Sequence, residues 1–185
     1  TLKTATLKNA IGVKKTLVGR DWKDSDEFTF KLKADDSNPD APMPASCKNQ
    51  SACPVTVKRD SSDDHVAYFG DITYDAGEAK YTYLVTENAG NASAMYYSQA
   101  EYRVVVSVMK DGTSGEWKAV VESVTQLKTD YGAAGSNWDS TRPMLFTNKY
   151  IAASSLPLTG RMGAERWWQI AAGGVGVLAL LAVAA

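Results

Sequence analysis

KYTYLVTE, Lys80 to Glu87, decides the fold. Tyr81, Tyr83, Val85 and Glu87 fall on one side of an extended chain and Lys80, Thr82, Leu84 and Thr86 on the other. This period of two, carried by aromatic and β-branched residues, is the signature of a strand buried on one face. The same pattern recurs in VKKTLV (13–18), EFTFKL (27–32), PVTVKR (54–59), HVAYFG (65–70), EYRVVVSVM (101–109), EWKAVVESV (116–124) and LFTNKY (145–150). Clusters of Gly, Asp, Asn, Ser and Pro separate these runs, and DGTSG (111–115) supplies hairpin turn chemistry between two of them. Sustained helical periodicity is missing before Trp167. The expected fold class is all-β, an immunoglobulin-like β-sandwich over residues 11–152, followed by a C-terminal hydrophobic helix. Residues 1–10 read as a linker or the end of a preceding domain, and the polar, proline-rich insert from Ala34 to Cys53 as an exposed loop.

Composition narrows the function. The chain has 185 residues, enough for one ordinary domain plus flanking segments. Its 20 basic and 21 acidic side chains are interspersed, which excludes a basic nucleic-acid-binding face. The single histidine, His65, has no second histidine or further cysteine to form a zinc set with Cys47 and Cys53. A disulfide closing the small loop ASCKNQSACP is therefore expected, with two free thiols as the alternative, and it points to an oxidising, extracellular compartment. Asp35–Asp36 and the acidic run from Asp60 to Asp64 do not have calcium-loop spacing. No metal site and no cofactor are expected. His65 has no GxSxG or paired-acid partner motif, so the chain does not read as an enzyme acting on an external substrate. Trp117, Trp138 and Tyr131 are candidates for an adhesive surface, or for core and cross-strand positions.

Three polar residues stand where alternation demands apolar ones. Lys15 shares a face with Val13 and Leu17, Glu87 with Tyr81, Tyr83 and Val85, and Asn148 with Phe146 and Tyr150. Each has a simpler reading as a solvated strand end. If they are buried, desolvation lowers the lysine pKa and raises the glutamate pKa until both can be neutral, and a neutral lysine is a nucleophile.

Near the end of the chain LPLTG (Leu156, Pro157, Leu158, Thr159, Gly160) follows a short AASS spacer, with 153–160 taken together as spacer and motif. From Ile170 to Ala185 the sequence IAAGGVGVLALLAVAA carries no charge, and with Trp167 and Trp168 it approaches the roughly 20 residues that span a membrane. The pentapeptide resembles, letter for letter, the LPxTG sorting signal of Gram-positive surface proteins. That resemblance implies cleavage by sortase between Thr159 and Gly160, transfer of the new carboxyl end to a peptidoglycan precursor or a neighbouring pilin subunit, and a segment 161–185 that is inserted in the membrane transiently and then removed. The family's basic tail is missing after the apolar run. TLKTATLKNA has neither a start Met nor an apolar leader, so a longer precursor is expected.

GVKKTLVGRDWKDSDEFTFKL, YTYLVTENAG and LFTNKY are similar to the opening, glutamate-bearing and closing strands of the streptococcal pilin isopeptide-linkage domain, over about residues 11–151. The resemblance implies an autocatalytic bond between Lys15 as amine and Asn148 as carboxamide. Glu87 is then the proton shuttle, expected to bond the carboxamide oxygen when protonated, and Lys14 is the runner-up amine. The function it implies is a structural stalk or pilin-type domain of a cell-surface protein, attached covalently to the wall of a Gram-positive bacterium or to a pilus. The alternative is an adhesin domain that binds a host surface ligand or a neighbouring cell.

Overall fold

All the predicted strand segments form strands, because each can bury one apolar face while hydrogen-bonding laterally. The computed structural model describes residues 3–152, so LPLTG and the apolar segment 161–185 lie outside the described residues. In chain order the strands are β1 (Ala5–Leu7), β2 (Gly12–Val18), β3 (Glu27–Ala34), β4 (Ala52–Lys58), β5 (Val66–Tyr68), β6 (Ile72–Tyr74), β7 (Ala79–Glu87), β8 (Met95–Tyr96), β9 (Glu101–Lys110), β10 (Trp117–Lys128), β11 (Asn137–Trp138) and β12 (Met144–Tyr150). The described residues are all-β, as expected, and the expected C-terminal hydrophobic helix lies outside them.

Two sheets enclose the core. One has the order β11-β10-β9-β7-β3-β4 and is antiparallel throughout; the other has the order β5-β2-β12-β8. They meet through large side chains: Phe146 of β12 lies 5.0 Å, ring to ring, from Phe30 of β3 and 5.2 Å from Tyr102 of β9. Such offset and tilted aromatic pairs add roughly 1 kcal/mol each beyond burial. Alternation holds through the first half of β9 and its apolar side is continuous, with Tyr102, Val104, Val106 and Val108 all buried, while Ser107 on the opposite face is buried as well.

The second sheet contains the decisive pairing. β2 and β12, the outer elements of the domain's sequence pattern, lie side by side and parallel, with Lys15 opposite Phe146 and Leu17 opposite Asn148. Parallel neighbours require a long crossover, and here nearly the whole domain supplies it. Short, weakly patterned strands were not visible in the sequence. Residues 5–7, expected within a linker or preceding domain, form β1, pair with β6 and bury Ala5 and Leu7 in the core. Three residues are too few for a periodic signal.

Two further expectations need adjustment. β5 starts at Val66 rather than His65, because Asp63, Asp64 and His65 adopt positive φ of 55°, 60° and 65° that cannot continue a strand. The insert from Ala34 to Cys53 is more than an exposed loop. Asn38 accepts the Thr82 N–H at 2.7 Å and donates to the Thr82 carbonyl at 2.8 Å, copying a strand partner at the edge of β7. The Tyr83 hydroxyl donates to the Pro42 carbonyl at 2.6 Å. Cys47 and Cys53 form the expected disulfide, which joins a 3-10 turn at Ala45–Cys47 to β4 and contributes about 2 kcal/mol by chain entropy for so short a loop.

Candidate functional site

Alternation along β2 turns Lys15 inward and Lys14 outward. Lys14 reaches the surface, where its Nζ lies 2.9 Å from Asp64 Oδ2, so the runner-up amine is held away from the core. Lys15 is 1% exposed, and Asn148 and the side chain of Glu87 are fully buried. The three residues come from different parts of the sequence pattern and from both sheets: β2 and β12 are adjacent, while the end of β7 faces them across the core.

Glu87 bridges the other two. Lys15 Nζ donates to Glu87 Oε1 at 2.7 Å, and Asn148 Nδ2 donates to Glu87 Oε2 at 2.7 Å. The carboxamide oxygen of Asn148 accepts the Ser98 main-chain N–H at 2.8 Å. A backbone N–H can only donate, so this contact sets which end of the carboxamide is oxygen. The expectation that Glu87 bonds the carboxamide oxygen is therefore corrected. Glu87 faces the amide nitrogen, and a main-chain donor faces the oxygen.

Aromatic rings complete the enclosure. Lys15 Nζ lies 4.7 Å from the centre of the Phe28 ring and 5.8 Å from that of Phe30, near enough for a cation–π contribution to a charged amine. Desolvation nevertheless dominates. Burial brings the Lys15 pKa down to about 8 against the opposing pull of the Glu87 charge. Burial likewise pushes the Glu87 carboxyl up, opposed by the Lys15 charge and the hydrogen bonds it accepts. Both shifts favour the neutral pair, so proton transfer from amine to carboxylate costs far less here than in water.

Ser98, whose N–H holds the Asn148 oxygen, escaped the sequence reading: every residue but proline possesses that main-chain group, so no pattern in the sequence marks it. The tryptophans considered for adhesion are partly buried: Trp117 and Trp138 pack against the core, and only Tyr131 of that set is exposed. Among the described residues, no cluster of three His, Cys, Asp or Glu side chains is placed to hold a metal ion. No described helix is long and apolar enough to cross a membrane.

The family model described as "FctA: Spy0128-like isopeptide containing domain" matches residues 11–151. The chain belongs to this family. It is a family of pilin-type structural domains and not of enzymes. Solved structures similar to this isopeptide-containing domain include the major pilin of Streptococcus pyogenes, at 20% identity and a TM-score of 0.41, covering 80% of this chain and 50% of that one. The T-13 major pilin of the same organism matches at 18% identity and a TM-score of 0.44, covering 81% of this chain and 55% of that one. The T3.2 major pilin matches at 20% identity and a TM-score of 0.44, covering 79% and 54%. The chain thus spans about half the length of these pilins. No curated protein sequence matches it.

Proposed function

We propose that this is an immunoglobulin-like structural domain of a sortase-anchored, pilin-type surface protein, stabilised by an autocatalytic isopeptide bond between Lys15 and Asn148. The observation that carries the reading is the buried Lys15–Glu87–Asn148 constellation, with its amine and carboxamide on the adjacent parallel strands β2 and β12. Glu87 takes the proton from Lys15 Nζ, and the freed lone pair attacks Asn148 Cγ. As the tetrahedral intermediate collapses, protonated Glu87 delivers that proton to Nδ2, which leaves as ammonia. One C–N bond forms and one breaks; of the two protons the Lys15 nitrogen gives up, one leaves in the ammonia and the other ends on Glu87, so the chain loses one ammonia and Glu87 is left as the neutral acid beside the product amide.

The intact chain is expected to weigh one ammonia less than its sequence, and Lys15→Ala, Glu87→Ala and Asn148→Ala are each expected to restore the full mass. Mass spectrometry after disulfide reduction separates this deficit from the two hydrogens lost at Cys47 and Cys53. A deficit that persists in Lys15→Ala would disprove the assignment.

The reaction should depend on pH in a defined direction. The reactive pair carries one proton in total, because the amine must be neutral and the carboxyl must hold the proton it will deliver. Below the raised pKa of Glu87 the pair takes up a second proton and the amine stays charged; above about pH 8 Lys15 loses its proton to solvent and none remains for the leaving group. Bond formation, followed by mass after rapid synthesis, is expected to plateau and then fall roughly tenfold per pH unit above about 8. A rate still climbing between about pH 8 and 10 would mean that Glu87 enters as a carboxylate.

Anchoring is part of the same proposal. LPLTG followed by an uncharged apolar run supports sortase processing at Thr159, with a peptidoglycan precursor or a neighbouring pilin subunit as acceptor, and hence a place on a Gram-positive cell surface. Tension entering from the carboxyl end would then reach β12 and cross to β2 through one amide bond, sparing the hydrogen bonds between the two strands. A separate adhesin role finds less support, since Trp117 and Trp138 are committed to the core.

A further inference from the structure

Asn148 is gripped from its oxygen side by a loop whose own position is set by an acid outside the proposed reaction. Asp130 Oδ1 accepts the Ser98 hydroxyl at 2.5 Å and the Thr147 N–H at 3.0 Å. The Ser98 hydroxyl oxygen accepts the Ala100 N–H at 3.1 Å, and the Asp130 carbonyl accepts the Gln99 N–H at 2.8 Å. Asp130 therefore ties the turn at Ser98 directly to β12, one residue before Asn148. Ser98 is buried, and its N–H has Asn148 Oδ1 as its partner. When Lys15 attacks Cγ, the carbonyl π electrons move onto Oδ1, and negative charge develops where this N–H already points.

Building on the isopeptide reading above, we infer that the Ser98 main-chain N–H is the oxyanion donor for bond formation and that Asp130 is its positioning residue, acting through the Ser98 hydroxyl and Thr147. The donor is a fixed dipole in a site closed to water, where such groups contribute most to lowering a barrier. Its alignment depends on a short chain of hydrogen bonds that tolerates little displacement. This role also accounts for a polar network so close to the core: each member named has a partner, and each partner restricts the carboxamide.

The test follows ammonia loss over time in the full chain made by cell-free translation. Asp130→Ala and Ser98→Ala are each expected to slow the wild-type rate roughly tenfold, with the double variant no slower than Asp130→Ala alone, because losing Asp130 already breaks the path through the Ser98 hydroxyl. Asp130→Asn is expected to react at close to the wild-type rate, since its amide oxygen still accepts from Ser98 and Thr147, and Ser98→Thr likewise keeps the hydroxyl. Replacing the residue 98 amide by an ester in the Ser98→Ala background removes the N–H donor and puts an ester oxygen in its place, and is expected to slow the reaction by a further factor on the order of 100. Unfolding midpoints measured with Lys15→Met also present, so that no bond forms in any variant, identify any that fail to fold. Folded Asp130→Ala at the wild-type rate, or Asp130→Asn as slow as Asp130→Ala, overturns the positioning role. An ester that reacts as fast as its amide parent overturns the oxyanion role. A wild-type chain that never loses ammonia removes the isopeptide reading itself, and this inference with it.

Discussion

Glu87→Ala is expected to retain the ammonia and to be the most destabilised single variant of the site. Two losses combine. Without the shuttle the Lys15–Asn148 bond does not form, and the unfolded chain regains the freedom that a tie between positions 15 and 148 had removed, worth about 5 kcal/mol by the chain-entropy estimate for so long a loop. The unreacted amine of Lys15 is also left fully buried without the carboxylate that lies 2.7 Å from it before any bond forms. Breaking a buried ion pair from one side costs about 3–5 kcal/mol, moderated here because Lys15 can give up its proton. Since domains of this size are stable by only about 5–15 kcal/mol, the variant is expected near the edge of folding. Lys15→Met separates the two losses: it forfeits the bond but fills the site with an unbranched apolar side chain and lets Glu87, already pushed toward its neutral form, bury as an acid. Denaturant unfolding should rank wild type well above Lys15→Met, and Lys15→Met above Glu87→Ala. Equal midpoints for wild type and Glu87→Ala would leave no room for a stabilising cross-link.

Gly19→Ala is expected to cost about 2–5 kcal/mol, although the position lies outside the buried triad. Gly19 follows β2 directly and has φ of +95°, a conformation that strains any residue with a side chain. A Cβ there would sit 1.9 Å from the Tyr150 carbonyl oxygen, at the end of β12, so backbone must move. That close approach joins the ends of the two strands that carry Lys15 and Asn148. It also sets up the next contact, in which Arg20 holds Asp26 with two hydrogen bonds of 2.7 and 2.8 Å and lies 5.1 Å from the Tyr150 ring centre. Gly112→Ala is the control: a Cβ at that position would meet nothing within 4 Å, and a change within about 0.5 kcal/mol is expected. Chemical denaturation of both variants provides the comparison, and a Gly19→Ala midpoint matching that of Gly112→Ala would refute the packing account.

The parallel arrangement of β2 and β12 would give the proposed cross-link its mechanical meaning. In a parallel pair pulled from opposite ends, the hydrogen bonds are loaded together along the strand direction, and resistance depends on an unfolding rate rather than on equilibrium stability. An amide between the two strands changes the limiting element from a set of hydrogen bonds to a covalent bond. The inward register of Lys15 and Asn148 would also protect such a bond, because both side chains are buried away from water and competing nucleophiles.

Local pattern was enough to identify the longer strands and to mark Lys15, Glu87 and Asn148 as polar residues on faces that should be apolar. A strand with one buried face must alternate, so a Lys, a Glu or an Asn on the buried side stands out in one dimension, and Lys15 could be preferred to Lys14 on that ground alone. Cys47 and Cys53 were legible as a pair because no other metal-ligand partners accompany them. Tertiary structure decided everything that depends on which groups meet. The strands β1, β6, β8 and β11 are two or three residues long and are stabilised by neighbours rather than by propensity. The parallel adjacency of β2 and β12, the orientation of the Asn148 carboxamide and the contacts of Ser98 and Asp130 join residues far apart in the chain. Alternation along a strand tells a side chain which way to face; only the packed sheets determine what it faces.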